Sequence, residues 1–580
     1  MKVILAKAAG FCMGVRRAME IVMAETNKKE GPLFTFGPLI HNQQVLDLLE
    51  TKGVKATDDL NALKTGRIVI RAHGIPPEQH LALEKTGLRV IDATCPKVTR
   101  VQAIIRHHTN KGRSAIIVGD RDHAEVIGLM GYSKTPAHVI QGENDVAGLP
   151  HLDRPFVVAQ TTQNEKNFSN VVRALKQRFP DLLVFETICD ATQERQQEVR
   201  TFKDQVDAVV VVGGYHSGNT QRLAQISEAE HLPTFHVETE KDLDRNKLSG
   251  MEVIGLTAGA STPHWMIKNV LKEIEGIHSR REMFLTRWAK QAFRFLVLSN
   301  LLVALGAFSF AYAASMLAGR EPNLAFPFLT FFYLYAMHVF NHFLDKDASA
   351  YNDPDRATFL QTHKGLLNIT GITAIIMVLA LSYMIGVVTF IALTALSLLG
   401  IIYSIPLVPE QFRHKSRYVK IKDIPGSRSL SEALAWVAVI AVLPMLETRG
   451  GKLLPVIMTG LIVFSWSYAR AIFFSLFQVQ GDLMVGAETL PITLGERRTL
   501  LLLEIVLIAS AFILIVSPIL GIANCFCYLM LVPLFTLSLS LVAYEKQWLY
   551  PGIALEALVE SNFLLTGLLA LIWQIFLWQP

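Results

Sequence analysis

Cys12, Cys95 and Cys189 stand in AAGFCMG, DATCPKV and TICDATQ, each closing a strand-like or extended run and opening a helix-like one. About 28 residues after each cysteine another apolar run stops at a polar side chain: His41 after LFTFGPLI, His123 after SAIIVGDRD, Ser217 after DAVVVVGGYH. A third run follows every time, RIVIRAHG with His73, PFVVAQTT with Thr161, MEVIGLTAGAS with Ser261. One supersecondary unit is used three times. Packed around a common axis, three such units would bring three thiols to one point inside a ring of His, Ser and Thr.

Three thiols from three distant loops make a poor disulfide framework. The chain opens MKVILAKAAG, without the apolar stretch of a secretory signal, so these cysteines are expected to stay reduced in the cytosol. Structural zinc normally takes four protein ligands, and the other two cysteines, Cys525 and Cys527, lie in a lipid-like segment far downstream. An iron-sulfur cluster with three cysteine ligands and one open iron fits better. The competing interpretation is three small buried hydrophobes, as single cysteines often are; the repeated phase against His and Ser favours the cluster.

The motifs GFCMGVRRA, GPLIHN, RAHGIPP, DATCPKV, HAEVIG, AQTT, ICDATQERQ, SGNTQRL and TAGASTP run in order over residues 1–277. This stretch resembles the 4-hydroxy-3-methylbut-2-enyl diphosphate reductase family, which performs the last step of the non-mevalonate isoprenoid pathway. The resemblance implies a three-lobed, pseudo-threefold α/β domain around a 4Fe-4S cluster held by Cys12, Cys95 and Cys189. It also implies reductive loss of the substrate hydroxyl, giving isopentenyl and dimethylallyl diphosphate. By family analogy the electrons come from reduced ferredoxin or flavodoxin, since the chain shows no CxxC redox motif and no nucleotide fingerprint.

That chemistry needs electrons, a Lewis acid on the oxygen and a proton for the departing water. Glu125 in HAEV is the expected proton donor, because a carboxyl enclosed away from water holds its proton to higher pH; spacing alone would make it a solvated glutamate at a helix start. Thr161 is expected to face the reacting hydroxyl and relay its proton. His41, His73, His123, Ser217, Asn219 and Ser261 offer donors for the diphosphate, joined by backbone N–H groups at strand-to-helix junctions. Two positions depart from the family pattern: Ala124 stands where proline is common, and Gly218 where serine is frequent.

The second half of the chain belongs to another solvent. Of all residues 51% are apolar, mean hydropathy is +0.33, and the excess is concentrated after residue 294. Uncharged runs 295–318, 366–409, 505–544 and 561–580, two of them long enough for a pair, with the apolar runs 324–344, 429–446 and 453–475, predict about nine membrane-spanning helices. A basic linker, 278–293, precedes this all-α bundle of 294–580. Arg280, Arg281, Arg287 and Lys290 of the linker, with Arg294 at the start of the bundle, predict a cytoplasmic start, and the same alternation puts the basic loop 406–428 inside. The expected location is therefore the cytoplasmic (inner) membrane, multi-pass, with the N-terminal domain in the cytoplasm. The net charge of +5 reads as topology and contact with the lipid bilayer, and no motif supports nucleic-acid binding.

NHFLDKDASAYNDPDR, YVKIKDIPGSRSLSEALAW and GDLMVGAETLPITLG resemble the UbiA-type intramembrane prenyltransferases, a nine-helix bundle in which two aspartate-rich motifs hold Mg²⁺ and a prenyl diphosphate. Here NDxxDxxxD becomes Asn341, His342, Asp345 and Ser349, and DxxGD becomes Gln478, Gly481 and Asp482, so carboxylates are missing from both. Lys422 and Arg470 are the expected diphosphate contacts. The bundle then reads as an altered prenyltransferase, a lipid binder or an anchor; the alternatives are a bifunctional reductase and active prenyltransferase, or a membrane-bound iron-sulfur sensor or electron carrier.

Overall fold

Strands that must be covered on both faces read as continuous apolar runs, and the first half of the chain has several. β4 (Arg67–Ile70), β6 (Ala115–Val118), β8 (Phe156–Ala159) and β10 (Ala208–Val212) are buried at every residue. Around them lie β1 (Lys2–Leu5), β2 (Leu33–Phe36), β3 (Val54–Thr57), β5 (Arg89–Asp92), β7 (His138–Ile140), β9 (Leu183–Val184), β11 (Thr234–Val237) and β12 (Val253–Ala258). The computed structural model describes the chain apart from residues 29, 60–62, 64, 278–283, 345–350, 406–419, 448–452, 486, 547, 550 and 577–580. It forms two compact units, Met1–Arg281 and Glu282–Pro580.

In the first unit the strands make three four-stranded sheets of equivalent order, β1-β12-β10-β11, β5-β4-β2-β3 and β9-β8-β6-β7. Every pairing is parallel. The edge strands β1, β5 and β9 lead to Cys12, Cys95 and Cys189; the next strands, β12, β4 and β8, lead to Ser261, His73 and Thr161; the third, β10, β2 and β6, lead to Ser217, His41 and His123.

The repeat seen along the sequence and the sheet seen in space are offset. Each cysteine belongs to the sheet preceding its own sequence repeat, so Cys95, not Cys12, shares a sheet with His41 and His73. The first sheet joins the N-terminal strand to the last three strands, with Lys2 paired to Val253 and Leu5 to Leu256.

The second unit is helical. Among the described residues six helices are long and apolar enough to cross a membrane: Lys364–Ile385, Ser427–Glu447, Leu453–Phe477, Glu496–Ile519, Phe526–Glu545 and Ile553–Phe576. There are seven if Trp288–Leu298 and Leu301–Leu317, bent by 69° at their junction, count as one span. Two expected spans fall short for physical reasons. Val387–Tyr403 is too short, and Ala325–Leu344 carries Tyr333, Tyr335, His338, Asn341 and His342, which lower its hydropathy. The expected basic loop residues Arg413, His414, Lys415 and Arg417, with Arg280 and Arg281 of the linker, lie outside the described residues.

Because the first unit has its own cores, one around β10 and β12 and others around β6 and β8, a fragment ending at Ile277 is expected to fold and stay in solution without detergent. Size exclusion and circular dichroism check this; aggregation of the fragment beside a well-folded full chain would show that the bundle is needed for folding.

Candidate active site

Each cysteine is the residue just before a helix, Met13–Asn27, Pro96–Asn110 or Asp190–Thr201, in extended backbone, and none uses its side chain to cap that helix. The thiols are left to point elsewhere. Their backbone amides are tied to the strand next door: Cys12 N–H donates to Ala260 O at 3.1 Å, Cys95 to Ala72 O and Cys189 to Thr161 O, both at 2.9 Å. The thiols converge closely enough that a Cβ on Gly14 would lie 2.5 Å from Cys95 Sγ and 3.9 Å from Cys12 Sγ, so no larger residue fits there. Burial pushes the Cys95 and Cys189 thiols up, and the neighbouring thiols push the same way.

The three histidines meet. His41 and His73 have ring centroids 4.6 Å apart, and each is 5.5 Å from His123. Their ring nitrogens lie within 4.8 Å of one another, close enough to share a metal ion or one anion. Burial, then the charges of Arg71 and His216, lower the pKa of His41; burial, then His41 and His123, push that of His73 well down; and burial takes His123 to about 4. At neutral pH all three are therefore uncharged until something anionic arrives. His123 Nδ1 accepts the Glu125 backbone N–H at 3.1 Å, capping the helix Ala124–Gly131. That bond fixes the proton on Nε2.

Glu125 is 2% exposed. Thr161 grips it twice, backbone N–H to Oε1 at 2.7 Å and Oγ1–H to Oε2 at 2.9 Å. Burial raises the Glu125 pKa and outweighs the lowering by Thr161. Asn219 is buried with neither side-chain amide atom partnered, and His41 Nε2 is in the same state. Ser217 caps the helix Gly218–Ala229, accepting from Thr220 N–H at 3.5 Å, while Ser261 Oγ donates to His41 O at 3.1 Å. Unpartnered buried donors beside neutral imidazoles suit phosphate oxygens.

In the second unit the expected diphosphate contacts are already engaged. Arg470 is 5% exposed; its Nε donates to Glu560 Oε1 at 2.8 Å, and its remaining nitrogens pair with Glu560 and Glu432. The guanidinium also lies 4.7 Å from the ring centroid of Phe474. Asp482 is 1% exposed and accepts from Asn352 Nδ2 at 2.7 Å. Lys422 is buried, Asn341 is exposed, and Asp345 and Ser349 lie outside the described residues.

The family model for LytB protein matches residues 3–275 and that for the UbiA prenyltransferase family residues 300–558. The 4-hydroxy-3-methylbut-2-enyl diphosphate reductase of Alkaliphilus oremlandii is 40% identical over 279 residues, 48% of this chain and 100% of that protein. The chain belongs to the 4-hydroxy-3-methylbut-2-enyl diphosphate reductase family. The solved E-1-hydroxy-2-methyl-but-2-enyl-4-diphosphate reductase from Plasmodium falciparum is 30% identical, covering 47% of this chain and 87% of that one with a TM-score of 0.46. A UbiA homolog from Aeropyrum pernix K1 is 13% identical over 47% of this chain and 98% of that one, TM-score 0.37. This reductase family member thus carries a helical unit beyond the 279 residues that match the whole length of the Alkaliphilus oremlandii protein.

Three arginines escaped the sequence reading. Arg71 and Arg222 lie close enough to act on the charge of His123, and Arg195, 4% exposed, donates from Nη2 to Gly10 O at 2.7 Å and feels the charges of Cys12 and Cys189. Arg71 follows RIVI directly, as His73 does two residues on, so the end of β4 was the available signal.

Glu125→Gln provides a pH test. With its folded pKa raised, Glu125 keeps its proton longer in the native state than in the unfolded one, so wild-type stability is full below about pH 4.3 and falls as pH rises through the folded value. Glutamine does not titrate. The melting temperature of Glu125→Gln minus that of wild type should therefore increase from acid to neutral pH; a difference independent of pH would mean that Glu125 titrates alike in the folded and unfolded states.

Proposed function

We propose that the first unit reductively dehydroxylates 4-hydroxy-3-methylbut-2-enyl diphosphate to isopentenyl and dimethylallyl diphosphate. Two electrons and two protons enter, the C–O bond breaks, a C–H bond forms and water leaves. The observation that carries this reading is the gathering of three thiols, three neutral imidazoles and a buried carboxyl held by Thr161.

The residues suit a 4Fe-4S cluster: the soft donors Cys12 and Cys95 face a cradle that a Cβ at position 14 would fill, and Cys189 lies near enough to both for their charges to act on one another. When bound, such a cluster with one iron free of cysteine supplies electrons and a Lewis acid for the hydroxyl oxygen. The protein's own residues do the rest. His41, His73, His123 and Asn219 bind the diphosphate, with Ser217 and Ser261 at helix starts beside them. His123 donates from Nε2, since Nδ1 is occupied. Burial favours the protonated form of Glu125, and Thr161 Oγ1, which donates to that carboxyl at 2.9 Å, relays a proton by turning its own hydrogen to the substrate oxygen as it accepts the one on Glu125. Electrons come from reduced ferredoxin or flavodoxin.

For the second unit we favour a membrane anchor or prenyl-lipid binder with weakened transferase chemistry, in the cytoplasmic membrane and with the reductase unit on the cytoplasmic side. Arg470 spends its charge on Glu432 and Glu560, and Asp482 spends a lone pair on Asn352. A diphosphate would have to displace buried carboxylates to reach that arginine.

Anaerobically purified chain with a chemical reductant should turn over the hydroxylated diphosphate. Serine at Cys12, Cys95 or Cys189 should abolish turnover and lower bound iron, and Glu125→Gln should slow it about 10²–10⁴-fold with iron unchanged. Full activity of the cysteine variants would sink the cluster, and wild-type rates for Glu125→Gln would reassign the proton donor.

Mg²⁺-dependent prenyl transfer to aromatic acceptors should be absent or slow, because each lost aspartate removes both a ligand and a charge. Aspartate at His342, Ser349 and Gln478 should raise Mg²⁺ affinity, read by titration. Robust transfer by the native chain, lost in Asp482→Ala, would establish a bifunctional enzyme.

A further inference from the structure

Arg222 sits on the helix Gly218–Ala229, which follows β10, and reaches across to the sheet of β6 and β8. Its Nη2 donates to Asp120 Oδ2 at 2.7 Å and its Nε to Gln163 Oε1 at 3.2 Å. The third nitrogen, Nη1, is buried and has no hydrogen-bond partner, in a residue only 7% exposed. An unmade bond on a buried charged donor is costly, and a fixed guanidinium with one free N–H₂ is suited to a phosphate oxygen.

The direction in which Nη1 points is set by a missing side chain. A Cβ on Gly218 would lie 3.1 Å from Arg222 Nη1 and 3.7 Å from His123 Cδ2, so the open side of this glycine is shared by the guanidinium and the imidazole. The guanidinium is near enough to His123 and Glu125 to lower the pKa of each, a second sign that its charge is felt inside the site.

We propose that Arg222 is a further substrate-binding residue: Nη1 donates to a diphosphate oxygen on the His123 side of the site, while Nη2 and Nε hold the sheet of β6 and β8 against the helix after β10. This rests on the reductase reading above. Because Asp120 and Gln163 hold Nη2 and Nε, Nη1 is the guanidinium nitrogen left unpartnered. With no Cβ at Gly218, Nη1, the His123 ring and the Asp120 carboxylate can all approach that backbone closely.

The test uses the full chain with its iron, and inorganic pyrophosphate as competitive inhibitor. Arg222→Met should raise both KM and the pyrophosphate inhibition constant about ten- to hundredfold, the range of a charge-assisted hydrogen bond, with iron content unchanged. Arg222→Lys should recover part of the pyrophosphate affinity, since it keeps the charge and loses the fork. A lower melting temperature and kcat in both variants, with KM and pyrophosphate inhibition unchanged, would make Arg222 a clamp only and overturn the proposal.

Should Arg222→Met lose its iron, Asp120→Asn decides, because it loosens the clamp and leaves the cation. Pyrophosphate should then bind as tightly as to wild type or more so, and weakened binding would overturn the proposal. If wild type binds pyrophosphate through Arg222 yet never turns over the hydroxylated substrate, the assigned reaction fails and the anion site stands.

Discussion

Three backbone hydrogen bonds, one for each sheet, anchor the site. Each cysteine amide donates to a carbonyl just past the end of the neighbouring strand, at Ala260, Ala72 and Thr161. Because all strands in a sheet are parallel, their carboxyl ends lie along one edge, and whatever follows them opens on that side. The thiol is therefore fixed to the same strand end that carries Ser261, His73 or Thr161. One short contact positions a soft donor and a polar donor together, and threefold repetition places three of each around one space.

Legibility followed locality. The strand-end residues could be read because apolar runs of four or five residues stop at them, as AIIV does before His123 and AVVVV before Ser217. The offset between repeat and sheet could not: nothing local tells that Cys12 on β1 pairs with strands some 250 residues later, at Val253 to Leu256. Arg222 was invisible for the same reason, since its meaning lies in Asp120 and Gln163, which belong to another sheet. In the second unit six of the expected spans, or seven with the bent pair, followed from hydropathy among the described residues. The fate of Arg470 depended on Glu432 and Glu560, on separate helices, and charge alone said only that an arginine was present.

The two units treat buried charge differently because their surroundings differ. In the first, His41, Asn219 and Arg222 each keep a buried side-chain nitrogen without a hydrogen-bond partner. In the second, Arg470 and Arg356 are matched internally, Arg356 with Asp353, Glu556 and Asn300. A lone charge among lipid-facing helices has no water to fall back on, so partners are built in.

The pairing of β1 with β12 orders events during synthesis. A chain leaving the ribosome makes Cys12 first, yet the sheet that fixes this cysteine lacks its partner strand until Val253–Ala258 has emerged. The sheets of β2–β5 and β6–β9 can close earlier, as their strands are contiguous. The nascent protein thus passes through a stage with two seated thiols and one untethered. Completion of the third seat falls within tens of residues of the first apolar helices, so the last thiol is fixed only as the chain passes from the strand-rich unit to the helical one.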